Sequence, residues 1–386
     1  MKKEIIVIGD VEMGAGTLTD DFISDKALSQ LIIMLSKQEQ PLDLIMNGDT
    51  FDFLKCPHFG KEGKKTFPRH ITEQISLDKL NLMYKAHTRV FKAWKKFVKK
   101  KQHYIIFIIG NHDQDLIYKR VQEQLRVLLG RKQNILFKFR YRQQGVHVEH
   151  GHQYDLVSRM NFDKLFLSYK GISILNFSWV SFSLIGDFLA LKEQHPFLER
   201  VKPWPALFSL YDLIVKKLSF HSIVFILKSL LYYPFRYYSD PTYTLPRTLL
   251  REIYYRIKNF DWEVEDIIAS FKKSKHPHLR RNKLYVFGHV HKKYVEENTD
   301  WTILQPDTWR DEYFLEQNSR TLKSKKKNYV QIKIDDLSEV TWQINTWPII
   351  RSTFHFEDVI KDELTFLNLA AKEEGYTFPQ FTTPDQ

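Results

Sequence analysis

Short apolar runs, each closing on a polar or glycine cluster, recur along this chain and set its rhythm. Glu4 to Ile8 leads into Gly9-Asp10, Leu42 to Met46 into Gly48-Asp49, and Tyr104 to Ile109 into Gly110-Asn111-His112-Asp113. Val146 to Glu149 leads into His150-Gly151-His152, and Leu284 to Phe287 into Gly288-His289-Val290-His291. Runs of this length predict buried strands that feed functional loops. Five strand ends are therefore expected to converge on one edge. Between them lie helical spacings, the clearest being Leu80, Met83, Tyr84, His87, Phe91, Trp94 and Val98, which read as one helix face. His87 on that face reads as a packing histidine and not a ligand. The alternation predicts a layered α/β domain.

From about Leu156 to Lys283 the rhythm disappears, replaced by aromatic and basic residues in helix-like spacing, and it resumes at Leu284. This segment reads as an inserted helical cap. Beyond the last histidine motif, Trp301 to Gln305, Tyr329 to Ile334 and Val340 to Asn345 predict further strands, the last two joined as a hairpin by Asp335 to Glu339. A helix and a polar tail are expected after Trp347. The organisation expected is a main domain of residues 1–155 and 284–347, a cap of 156–283, and a C-terminal helix and tail of 348–386.

With 386 residues the chain can hold one large core or two units. The formal net charge of +12 favours anionic partners. Residues 156–283 hold 20 Lys and Arg against 11 Asp and Glu, so the basic character is concentrated in the insertion. The single cysteine, Cys56, excludes an internal disulfide framework, and nothing near it in sequence suggests an activated thiolate. Met1 to Asp10 is too short in its apolar run for a signal peptide, and a cytoplasmic location is the default expectation. The longest stretch free of charge, Gly171 to Gly186, falls short of the roughly 18–20 residues a spanning helix needs, so no transmembrane helix is expected.

Asp10, Glu12, Asp49, Asn111, His150, His289 and His291 all stand at or just after the ends of apolar runs. One Gly-Asp pair is usually a turn, and one histidine is usually structural. Together they form the mixed oxygen and nitrogen shell that a pair of divalent cations requires when it serves to make hydroxide from water at neutral pH.

The order Gly-Asp-x-Glu, Gly-Asp-x-x-Asp, Gly-Asn-His-Asp, His-Gly-His and Gly-His-x-His, spread over nearly the first 300 residues, resembles the calcineurin-like metallophosphoesterase superfamily. The resemblance implies a four-layer αββα sandwich, here with the inserted cap, and two metals bridged by Asp49. Site one would use Asp10, Asp49 and His291, and site two Asp49, Asn111, His150 and His289. The family normally has histidine where Glu12 stands. A carboxylate there makes site one harder and favours Mn²⁺ or Mg²⁺, with iron or Zn²⁺ as other choices. The resemblance also makes His112 a non-ligand that stabilises phosphoryl charge or protonates the leaving oxygen, with Asp113 orienting its imidazole. His152 and Asp155 are candidates for substrate contact or ligand support, and Asp52 for fixing the bridging loop. Lys55, His58, Arg69 and His70 could hold a phosphate. The Thr308-Trp309 pair is expected to pack beneath the site.

The substrate expected is a phosphorylated small molecule or lipid. Trp179, Trp204, Tyr232, Tyr233, Phe235, Tyr237 and Tyr238, interleaved with Lys216, Lys217, Lys228 and Arg236, fit either a cap core or a helix lying in a membrane interface on the inner face of the cell membrane. An insertion at this point also resembles that of UDP-2,3-diacylglucosamine hydrolases, although those typically carry arginine in place of His112 and a shorter insertion. Two other readings remain: a DNA exonuclease of the same superfamily, which the net charge would suit, and a non-catalytic membrane-associated scaffold, which rests only on Glu12.

Overall fold

The computed structural model describes every residue except 1–2, 61–62, 131–132, 184, 186–187, 245–250, 252–266, 276–280 and 379–386. The terminal polar stretch 379–386 and the insertion's 245–250 and 252–266 thus lie outside the described residues.

The first three apolar runs become neighbouring parallel strands, Lys3–Ile8, Leu42–Asn47 and His103–Ile108. Ile135–Lys138 extends this sheet in parallel, and the antiparallel hairpin of Lys327–Ile334 and Val340–Trp347 completes it on the other side. Alternate residues leave each strand on opposite faces. Ile5, Val7, Ile45, Ile106 and Ile108 point into one core, while Ile6, Ile8, Leu44, Met46, Ile105 and Phe107 point into another. That is why these strands read as nearly unbroken apolar runs: both faces are buried.

The remaining two runs belong to a second sheet, ordered Lys293–Glu297, Thr302–Pro306, Leu284–Val286, Val146–Val148 and Tyr141–Gln143. Val146, Val148, Leu284, Val286 and Leu304 face Ile5, Val7 and Ile45 of the first sheet across the shared core. Helices Asp25–Leu35, Glu73–Ala86, Thr88–Phe97 and Lys119–Leu129 cover the first sheet. Helix Ile267–Lys275 packs Ile267, Ile268 and Phe271 on Tyr285, Phe287 and Ile303 of the second. The result is a mixed α/β fold layered helix, sheet, sheet, helix. The five strand ends come from two stacked sheets and meet where the ends of those sheets converge.

The face running from Leu80 to Val98 is not one helix. It breaks at His87, whose backbone closes Glu73–Ala86 and opens Thr88–Phe97. The cause is electrostatic. The fully buried imidazole bridges Asp25 Oδ2 at 2.8 Å and Asp20 Oδ2 at 2.9 Å. Burial opposes its charge, but the two carboxylates win and raise its pKa to about 10.

The 156–283 segment is divided among three surroundings. Its first part contains a hairpin, Phe166–Tyr169 with Ile172–Leu175, turning through Lys170 and Gly171, both at positive φ. Leu175, Phe177, Phe182 and Ile185 join the main core. Its middle part lends Leu191, Phe197, Leu198, Val201 and Leu207 to a separate core with Tyr313, Leu315, Leu322, Phe354, Val359 and Leu367. Val201–Lys202 even forms an edge strand beside Tyr313–Glu316. The long helix Asp212–Leu231 follows. After Trp347 come two helices, Phe356–Lys361 and Glu363–Glu373.

Candidate metal centre

The loops at this edge bend sharply to present side chains. Asp10, Glu12, Asp49, His289 and His291 all sit at positive φ, between 46° and 73°. For residues with a Cβ this costs roughly 1–3 kcal/mol each, and such strain gathers at functional sites. Five of the seven expected ligands carry it. Glycines make the close approaches possible: a Cβ on Gly110 would lie 2.1 Å from Asp49 Oδ1, and one on Gly48 would lie 2.4 Å from the His150 ring.

The seven side chains converge. Asp49 Oδ2 lies 2.9 Å from His150 Nε2, and Asn111 Oδ1 lies 3.2 Å from the same nitrogen. Ligand atoms of Asp49, His150 and His289 fall within 4.8 Å of one another. On the other side, His291 Nε2 is 3.2 Å from Glu12 Oε1 and 3.5 Å from Asp10 Oδ1. Asp10 Oδ1 accepts the His289 backbone N–H at 2.8 Å, whereas its buried Oδ2 has no hydrogen-bond partner among the described residues.

Each histidine is tied from behind. His150 Nδ1 is 3.0 Å from the Asn47 carbonyl, His289 Nε2 is 3.0 Å from Asp155 Oδ2, and His291 Nδ1 is 2.9 Å from Glu312 Oε1. A ring nitrogen that donates outward leaves its partner nitrogen as a lone pair. At His150 that lone pair points at two oxygen acceptors. Such a set repels itself unless a proton or a metal cation sits among it, and its carboxylate, amide and imidazole donors are of the kinds that ligate a divalent metal. Burial disfavours the Asp49 charge, but His150 and His112 outweigh it and hold the carboxyl well below its usual range.

His112 lies at the margin of this cluster, and ligand-type atoms of Glu12, Asp52 and His112 fall within 4.8 Å of one another. Its backbone N–H donates to Asp49 Oδ1 at 2.8 Å, and its Nδ1 is 3.1 Å from Asp52 Oδ1. The expected partner, Asp113, is elsewhere: it accepts from Gly110 N at 2.6 Å and Thr50 N at 2.9 Å, bracing the two ligand loops. Backbone direction decides this, because adjacent side chains leave the loop on different sides. Asp52 therefore orients the imidazole. Burial lowers the His112 pKa, but Asp52, Asp49 and Glu12 carry it up to about 9. Asp113 is pushed up to about 7 by burial and by Asp49.

Glu12 is the position that departs from the family pattern, and its surroundings account for it. While Oε1 faces His291, Oε2 accepts from Lys55 Nζ at 2.8 Å. Lys55 is only 2% exposed and also grips Asp21 at 2.8 Å and Asp52 at 2.9 Å. Arg310 reaches Asp21 and Glu199 at 3.1 and 2.8 Å, and Lys192 reaches Asp21 at 2.6 Å. Burial raises the Glu12 pKa, but Arg310, Lys55 and His112 depress it well below the ordinary range. Lys55 is thus an internal counter-ion and not an exposed phosphate hook.

The other basic residues of that loop are likewise committed. His58 pairs with Asp78 at 3.1 Å and His70 with Asp240 at 2.7 Å. Arg69 donates to Thr242 and to the Phe182 carbonyl. Cys56 is buried, which pushes its thiol pKa far up and leaves it inert. His152 is buried near His150 and His289, touches Gln153, and is held well below its ordinary pKa by burial and those two rings. Its Nδ1 has no hydrogen-bond partner among the described residues. Thr308 Oγ1 donates to the Asp10 carbonyl at 2.8 Å, and the buried Trp309 donates to Asn328 O, so this pair does pack beneath the site. Sequence reading missed Glu312, Asp21, Arg310, Glu199 and Lys192. They carry no local motif; the polar run Arg310-Asp311-Glu312 right after Trp309 was the one available signal.

No family model matches this chain, and no curated protein matches it. Among solved structures, a conserved uncharacterized protein of Streptococcus pneumoniae TIGR4, a predicted phosphoesterase, is 9% identical over 92% of this chain and 98% of its own, with a TM-score of 0.29. A Staphylococcus aureus structure provisionally assigned as a 5′-nucleotidase, in complex with alpha-ketoglutarate, is 11% identical over 97% of this chain and 58% of its own, with a TM-score of 0.33. Likenesses this distant carry no weight beside the chain's own geometry, which is that of a mixed α/β fold whose stacked sheets and motif order resemble the calcineurin-like metallophosphoesterases.

Proposed function

We propose that this chain is a metal-dependent phosphoesterase with two divalent cations, Mn²⁺ first among the candidates, held by Asp10, Glu12, Asp49, Asn111, His150, His289 and His291. The observation that carries the reading is the convergence of carboxylate, amide and imidazole acceptors on strained loops, each imidazole tied from behind. When bound, such cations supply Lewis acidity toward a phosphoryl oxygen and a nucleophile drawn from water. Asp49, grouped with His150 and His289, would supply the carboxylate that the family resemblance assigns to both cations. His112, cationic at neutral pH on Asp52, donates from its other nitrogen to a phosphoryl or leaving oxygen. His152, neutral and unpartnered at Nδ1, is a substrate contact.

The bond hydrolysed is a phosphoester or pyrophosphate in a small phosphorylated, nucleotide-sugar or lipid-linked substrate, at a cytoplasmic location. Among the described residues no helix is long and apolar enough to cross a membrane. The DNA reading loses ground because Lys55, Lys192, Arg200 and Arg310 already face buried carboxylates. The test is release of phosphate or nucleoside monophosphate by Mn²⁺-loaded enzyme from phosphomonoesters, phosphodiesters, nucleoside diphosphate sugars with and without acyl chains, and single-stranded DNA. Turnover that His112→Ala removes supports the reading. Turnover unchanged in that variant, or none on any substrate, overturns it.

A further inference from the structure

The aromatic residues of the insertion fall into two groups. The Phe225 ring lies 4.7 Å from Trp179 in a tilted contact, Tyr233 meets Tyr243 edge-on at 4.9 Å, and Arg69 lies over both tyrosines. These anchor one side of the Asp212–Leu231 helix to the body of the protein. Its other side carries Leu213, Lys216, Phe220, Ile223, Leu227 and Leu230, three and four residues apart, all exposed. The apolar surface runs on through Leu231, Tyr232, Phe235, Tyr237 and Tyr238, with Phe220, Phe235 and Tyr238 exposed by 64%, 77% and 91%. Ten of the 24 exposed large apolar side chains among the described residues lie between Leu213 and Tyr238. A patch this concentrated marks an interaction surface.

We propose that this face docks on a bilayer containing anionic lipid. Tyrosines and phenylalanines clustered at one end of an apolar helical stripe, with Lys216 and Arg236 at its margin, match the layering of a membrane interface. Between Asp212 and Tyr238 stand Lys216, Lys217, Lys228 and Arg236 against Asp212 alone, an excess that complements a negative surface. It opposes the rival occupant, a second copy, which would bring two such basic segments together. The helix lies on the surface and does not cross it. None of this rests on the metal geometry, so failure of either reading leaves the other standing.

The experiment is sedimentation of the full chain with vesicles of phosphatidylcholine alone or mixed with phosphatidylglycerol. The wild type should partition onto the mixed vesicles more strongly, and Leu227→Asp with Phe235→Asp should weaken this by about tenfold or more at unchanged melting temperature. No wild-type binding, or binding indifferent to the double variant, overturns the proposal. So does a wild-type dimer in light scattering that the double variant dissolves. Should the double variant misfold, Phe235→Cys can carry an environment-sensitive dye, since Cys56 is buried. A blue shift on mixed vesicles is expected, and an unshifted spectrum overturns the proposal.

Discussion

At the Asp10 to His291 edge, polar groups are buried and almost every one meets a named counterpart, whereas along Leu213 to Tyr238 large apolar side chains are exposed among the described residues. Both regions place chemistry where folding energy alone would not put it. The first stores strain and buried charge, and the second stores unburied apolar area. The contrast teaches that a site with partners inside the chain can be recognised by how completely its neighbours tie it, while a docking face shows itself by what is left untied.

The sharpest break in that comparison is Asp49→Asn. It removes the charge that faces His150 Nε2 at 2.9 Å, and hydrolysis should fall by on the order of 10²–10³-fold, with far-UV circular dichroism unchanged. Near-normal turnover would detach the site from the chemistry.

Next comes His87→Gln, which leaves Asp20 and Asp25 buried against a neutral group and should cost about 3–5 kcal/mol of unfolding free energy. The sign follows from the raised folded pKa, about 10 against an ordinary 6.5. The stabilisation is complete below pH 6.5 and is lost as pH rises through 10. Urea titrations of both proteins should therefore differ most at pH 6 to 7 and converge toward pH 10, within about 1 kcal/mol given the spread of such values; a difference that grows with pH would refute the ion-pair account.

Smaller still is Glu312→Gln, which keeps the size of the group behind His291 but removes its charge. Mn²⁺ affinity by calorimetry should weaken about 10–100-fold, and a change confined to stability would reduce Glu312 to a packing role. At the bottom of the scale, Phe235→Ser should alter stability by no more than about 0.5 kcal/mol, because the side chain it removes is already in water. A loss of several kcal/mol in a melt would mean that the face is covered within the chain.

That Asp10, Asp49, Asn111, His150, His289 and His291 would come together was legible in the residues, because each follows an apolar run and strand ends meet at one edge. The partners of those side chains were not. Asp113 adjoins His112 in sequence, yet Asp52 is the one that reaches its ring. Lys55 looks like a loop lysine until its four-carbon stem is seen to run inward to Glu12, Asp21 and Asp52. His87 belongs to an unbroken 3.6-residue periodicity, and only Asp20 and Asp25 explain the break there.

Period-two and period-three-to-four patterns are local properties, so the residues alone indicated the strands that end in the candidate loops, the closing hairpin and the order of those loops, but not the short strands at 135–138, 166–175 and 313–324. Which sheet each strand joined, which carboxylate faced which imidazole, and which aromatics of the insertion were buried depended on contacts between residues more than 100 positions apart, such as Arg69 with Thr242 and Lys192 with Asp21. Those pairings are set by how layers stack, and no local pattern encodes a distance across the core.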